Sequence, residues 1–231
     1  MPLFYTHPSP IIGIWKIIEP WQDLLELFSD KTMYSNYILA LKSDKRKCEW
    51  LAIRLLLRHF AGTEKLVDYK ENGSPFLKNS PYKISISHTK GYAALVLTEN
   101  ANPGIDIEYR SGRAWKLCSK FLNATELELL HNYPSEPALS AHQSGLSTAT
   151  LPHPDIPTQQ SVLATICWCA KETAYKALQE NEVDFIRHFH IAPFIFSNKG
   201  SIRLKETKTP KQEVYCINYL IFDEFIMTWK E

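Results

Sequence analysis

Two stretches of the chain cycle their apolar residues at a helical period. In SDKRKCEWLAIRLLLRHF (43–60) the period is strong, Ser43 or Asp44 is a natural cap, and Gly62 follows as a stop. SVLATICWCAKETAYKALQE (161–180) is the second long helix, and shorter helical patches fall in PWQDLLELF and SNYILALK. IIGIWKII (11–18) reads as a first strand, and YKISISH and YAALVLTE read as a hairpin joined by Thr-Lys-Gly. NGSP (72–75) is turn chemistry. Beyond a strand at GIDIE comes a helix pair, the second opening at NATELELL with Asn123 as cap and Glu126 three residues on, a capping-box pattern. Residues 134–160 are rich in Pro, Ser and Thr with no apolar period, which predicts a long, exposed and mobile loop. EVYCINYLIF and EFIMTWK supply strands near the end.

Both long helices are followed by strand–turn–strand patterns. Placing Trp50 on Trp168 also brings Ala52 onto Ala170, Arg54 onto Glu172 and Arg58 onto Lys176. The expectation is an α+β fold of two similar α/β halves, residues 1–101 and 102–231, with a ligand cleft between them. Composition adds exclusions. A formal net charge of +1 argues against a general nucleic-acid surface. No apolar run approaches the length of a membrane span, and MPLFYTHPSPIIGIWKI lacks the plan of a secretory signal, so a cytoplasmic protein is expected. The five cysteines form no C-x-x-C pair, which fits reduced thiols in that compartment.

NPGIDIEYR (102–110) alternates Ile105 and Ile107 with Asp106 and Glu108, so one strand face carries two carboxylates that repel unless something positive lies near. In WCAKETAYK, Trp168, Glu172 and Lys176 recur at i, i+4 and i+8 and share a helix stripe. Each group has a plain reading, as the polar face of an edge strand and as a solvated Glu-to-Lys pair. Together the three carboxylates suit a hard, oxygen-loving cation, magnesium first, with manganese an acceptable stand-in. SISHTKG (85–91) adds Ser87, His88, Thr89 and Lys90 at a hairpin tip, and Arg46, Arg54 and Arg58 lie on the first long helix; all are suited to phosphate.

GIDIE at 104–108, WCAKETAYK at 168–176 and SISH at 85–88 together resemble the 4'-phosphopantetheinyl transferases, in the branch typified by the surfactin-synthetase activator. RKCEWLAIRLLLR and FLNATELELL extend the resemblance over about residues 43–180. The resemblance implies a pseudo-dimer fold in a single-chain monomer. It implies transfer of phosphopantetheine from coenzyme A to a serine of an apo acyl carrier protein or peptidyl carrier domain, with release of 3',5'-ADP. By position, Asp106, Glu108 and Glu172 would hold magnesium, with Glu108 bound directly or through water. Glu172 would take the serine proton and Lys176 would neutralise phosphate charge. Arg54, Ser87, His88 and Asp106, with Lys176, would bind coenzyme A.

Two positions depart from the pattern. Ser74 stands where the family often has a lysine that contacts coenzyme A, leaving Lys70, Lys78 or Lys90 as substitutes. Ser85 stands where it has an asparagine. Two rivals remain. A magnesium-dependent nuclease would also use D-x-E with a later K-E, but near-neutral charge disfavours it. A non-catalytic coenzyme A- or carrier-protein-binding module has no need of all three acids. Neither a nucleic acid nor a membrane is expected as partner.

Overall fold

A computed structural model describes residues 3–62, 67–99, 101–133 and 158–230. It is a mixed α+β protein. The strands are β1 (Leu3–Pro8), β2 (Ile11–Lys16), β3 (Val67–Tyr69), β4 (Pro75–Leu77), β5 (Lys83–Thr89), β6 (Tyr92–Thr98), β7 (Gly104–Tyr109), β8 (Phe189–Ile191), β9 (Lys199–Glu206), β10 (Val214–Ile221) and β11 (Phe225–Lys230). The helices are α1 (Trp21–Glu26), α2 (Lys31–Ala40), α3 (Asp44–Ala61), α4 (Arg113–Lys116), α5 (Ala124–His131), α6 (Gln159–Leu178) and α7 (Phe185–His188). Packing divides the chain into two compact units. The first holds the residues up to Ile107 with Tyr175–Asn181 and the end of the chain from Trp229; the second holds Glu108–Ala174 and Glu182–Thr228.

In the first unit an antiparallel sheet runs β1-β2-β6-β5 and carries α3 on one face. Ser43 caps α3 by accepting from the Arg46 amide at 3.3 Å, and Gly62 ends it in the left-handed region at φ 69°. Leu51, Ala52, Leu55 and Leu56 from the helix meet Trp15, Ala93, Leu95 and Leu97 from the strands in one buried cluster. The approach at Gly13 is close enough that a Cβ there would come within 2.4 Å of the Phe60 ring. β1 was not foreseen. Its inner and outer residues alternate only between half-buried and exposed, so it lacks the apolar rhythm that marks β2.

The second unit has the sheet order β7-β11-β10-β9-β8, with the first residues of β7 and the last of β11 counted in the first unit. The capping box at α5 forms as expected: Asn123 Oδ1 accepts from the Glu126 amide at 3.0 Å, and Glu126 Oε2 accepts from the Asn123 amide at 2.9 Å. α6 begins and ends two residues earlier than the pattern predicts, stopping where Gln179 turns left-handed at φ 58°. The loop expected over 134–160 lies outside the described residues up to position 157, and its last two residues already belong to α6. All five cysteines are free, and among the described residues no helix is long and apolar enough to cross a membrane.

The tightest polar feature of this unit is Lys171, which has no exposed surface at all. Its ammonium donates to Glu126 Oε2 at 2.6 Å and to the carbonyls of Phe121, Phe185 and Phe189 at 2.9, 3.1 and 2.9 Å. Glu126 uses its other oxygen to accept from the Ile191 amide at 2.7 Å. Burial lowers the Lys171 pKa from its ordinary value, while the Glu126 carboxylate works the other way. Removing one partner strands the other's charge in the interior. Glu126→Ala is therefore expected to destabilise the protein by about 3–5 kcal/mol, read as a lower urea midpoint.

Candidate functional site

Strand β7 carries Asp106 inward, where only 5% of the residue is exposed. The carboxylate is held from two sides. Its Oδ1 accepts from Ser87 Oγ at 2.8 Å and from Lys176 Nζ at 2.8 Å, and Lys176 also donates to the Ile105 carbonyl at 2.9 Å. Its Oδ2 is buried with no hydrogen-bond partner, which is costly for a carboxylate oxygen. Part of the positive charge that the repelling acids require is thus a lysine.

β5 supports this arrangement through its side chains. Ser85 Oγ and Ser87 Oγ accept from the amides of Ile105 and Ile107, each at 3.2 Å. The two-residue period of both strands brings alternate serines to alternate amides, so hydroxyls take the place of ladder carbonyls. Ser85, marked in the sequence as a departure, therefore acts here as an acceptor. Ser87 gives its single proton to Asp106.

The first unit contains a cleft of about 270 Å³ whose walls include Arg46, Glu49, Trp50, Arg54, His88 and Lys176. Arg54 is buried at 3% exposure, its guanidinium 3.4 Å from the centre of the Trp50 ring and its Nη1 donating to the Trp50 carbonyl at 3.1 Å. Its Nε has no partner, and no acid pairs with it among the contacts of the described residues. Burial pushes its pKa down to about 10, against the opposing influence of the Tyr69, Tyr34 and Tyr37 phenols. It stays a cation at neutral pH.

His88 is exposed at the rim, with Nε2 beside Arg46 Nη1 and 3.3 Å from Glu49 Oε2. Desolvation lowers its pKa from the ordinary value; Glu49 raises it, while Arg46, Lys176 and Lys45 add to the lowering. The buried Glu49 was not foreseen, because a glutamate among Lys45, Arg46 and Lys47 reads as a solvated helix charge. Near the missing family lysine, Gly73 turns at φ 79° and Ser74 accepts the Lys70 amide at 2.9 Å. Of the suggested substitutes, Lys70 Nζ is held by Gln179 Oε1 at 2.8 Å and Lys78 pairs with Asp68 at 2.7 Å.

In the second unit Glu108 is half-buried and accepts from Trp168 Nε1 at 3.1 Å. Both line a smaller cleft of about 150 Å³ with Arg113 and Thr165. Phe121 meets the Trp168 ring edge-on at 5.0 Å, which fixes the indole. Glu172 is half-buried on α6. The structure thus joins Ser87, Asp106 and Lys176 by direct contact. Among the described residues, no three His, Cys, Asp or Glu side chains gather closely enough to hold a metal ion.

Ser87→Ala removes a donor to Asp106 and an acceptor for Ile107 at one stroke. The expected cost is about 2–4 kcal/mol, seen as a fall in the thermal midpoint, against about half that for Ser85→Ala. Comparison with curated proteins returned no match. A family model for the 4'-phosphopantetheinyl transferase superfamily matches residues 102–229, which include Asp106, Glu108, Glu172 and Lys176. That match covers more than half of the chain and takes in the β7 acids and the α6 stripe, and on it the protein belongs to the 4'-phosphopantetheinyl transferase superfamily.

Proposed function

We propose that this protein is a holo-[acyl-carrier-protein] synthase of the surfactin-synthetase-activator type. It moves 4'-phosphopantetheine from coenzyme A to a serine of an apo acyl or peptidyl carrier protein and releases 3',5'-ADP, as a cytoplasmic monomer. Membership of the superfamily supports phosphopantetheine transfer in general. The observation that carries the finer reading is the Asp106 carboxylate, held on Oδ1 by Ser87 and Lys176 while the buried Oδ2 lacks a partner. A buried carboxylate oxygen without a donor suits a hard cation, so the residue fits a magnesium ligand.

The balance of the reaction is simple. The carrier serine oxygen forms a bond to the phosphorus that bears pantetheine, the bond from that phosphorus to the bridging oxygen breaks, and 3',5'-ADP leaves with the electron pair. By the positions that match the family, Asp106, Glu108 and Glu172 are the candidate magnesium ligands, of which Asp106 offers a buried oxygen without a partner, and a bound ion would supply positive charge to the pyrophosphate. Glu172 takes the serine proton, directly or through one water, a contribution of about 10²–10⁴-fold in rate. Lys176 stabilises charge on the departing phosphate, and Arg54, Ser87 and His88 orient the nucleotide end. Arg54 is suited to that task because its charge is desolvated and lacks an acid partner in the described contacts.

The test is the intact mass of an apo acyl carrier protein after incubation with this protein, coenzyme A and magnesium. A gain of one phosphopantetheine is expected, abolished by EDTA and reduced at least about 100-fold by Asp106→Ala or Glu172→Gln. Coenzyme A binding without any gain on several carrier proteins would instead favour a binding module.

A further inference from the structure

Glu49 is a buried carboxylate with no role in the chemistry above. It is 4% exposed on α3, and its Oε2 accepts from Arg46 Nη1 at 3.0 Å. The same oxygen lies 3.3 Å from His88 Nε2, and Lys45 Nζ stands 3.6 Å from Oε1, which has no hydrogen-bond partner. Arg46 Nη1 in turn hydrogen-bonds His88 Nε2. One ring nitrogen therefore faces both a cation and a carboxylate, and it can satisfy only one of them. With a lone pair Nε2 accepts from Arg46; with a proton it donates to Glu49.

The charged groups around the imidazole are Arg46, Glu49 and Lys45 from α3 and Lys176 from α6. Three cations and the partial burial of the ring outweigh one carboxylate, so the ring is neutral near pH 7.5 and Arg46 rests against it. An anion entering the cleft changes that balance. It attracts Arg46, and it is itself repelled by Glu49 unless a positive charge lies between them.

We propose that Glu49 is a positioning residue for the Arg46–His88 pair, and that a phosphate monoester entering the cleft draws Arg46 from His88, which then takes a proton from solvent and donates it to Glu49. The inference rests on the coenzyme A reading above, since coenzyme A carries a phosphate monoester on its ribose in addition to the pyrophosphate. It makes anion binding proton-linked and gives the first unit a means of preferring ligands that bear the monoester.

Isothermal titration at pH 7.5 in two buffers of different protonation enthalpy tests this, with coenzyme A and 3'-dephospho-coenzyme A as probes. The wild-type protein is expected to take up about half to one proton per coenzyme A and almost none with the dephospho compound. Its affinity for coenzyme A should fall by up to about tenfold per pH unit as pH rises. Glu49→Gln and His88→Asn should each abolish the uptake, and Glu49→Gln should raise the KM for coenzyme A about tenfold with kcat held, leaving dephospho-coenzyme A binding unchanged. His88 is exposed, so His88→Asn carries the test should Glu49→Gln fail to fold. Coenzyme A binding without proton exchange, or uptake that survives both substitutions, overturns this inference alone. Failure of the wild-type protein to bind either compound overturns the functional reading and the inference with it.

Discussion

Lys171 shares its charge with protein oxygens alone. Three backbone carbonyls and the Glu126 carboxylate surround its ammonium, and those oxygens come from the chain before α5, from α5 itself, from α7 and from β8. A buried cation tolerates little displacement, because each lost contact exposes it to a medium that solvates it poorly. The elements that supply the contacts are thereby fixed relative to α6. Glu126 works in three directions at once, closing the capping box, accepting from Ile191 and neutralising Lys171. Within the second unit this anchor helps to set the rotation of α6 about its axis, and with it the side on which Trp168 and Glu172 lie.

A different solution serves Asp106. There the opposing charge is the partly exposed Lys176, and the rest of the support comes from neutral donors and acceptors on β5. The contrast between the two lysines of α6 is instructive. Lys171 is inaccessible and has every oxygen it can use. Lys176 opens onto a cleft and holds Asp106 from its wall.

Much of this was legible in the residue pattern. The limits of α3, the capping box at α5, the β5–β6 hairpin and the acid alternation of β7 each rest on local chemistry, and each has its counterpart in the structure. Glu49 and Lys171 escaped because charged residues on helices are ordinarily solvated, and only tertiary packing removes them from water. A signal for Lys171 existed: Cys167, Trp168 and Ala174, at i−4, i−3 and i+3, make an apolar neighbourhood unusual for a surface lysine. For Ser85 the type of contact was the unforeseen part, since pairing a hydroxyl with the amide of a distant strand depends on register that no local pattern encodes.

The stacking of Arg54 on Trp50 has a thermodynamic consequence for the protein as a whole. A guanidinium that has given up much of its hydration receives an aromatic face, a carbonyl and neighbouring phenols in return, none of them a full counter-charge. Stability and charge placement therefore pull against each other at this position: a neutral residue of similar shape that kept the stack on Trp50 would avoid the desolvation cost that Arg54 carries.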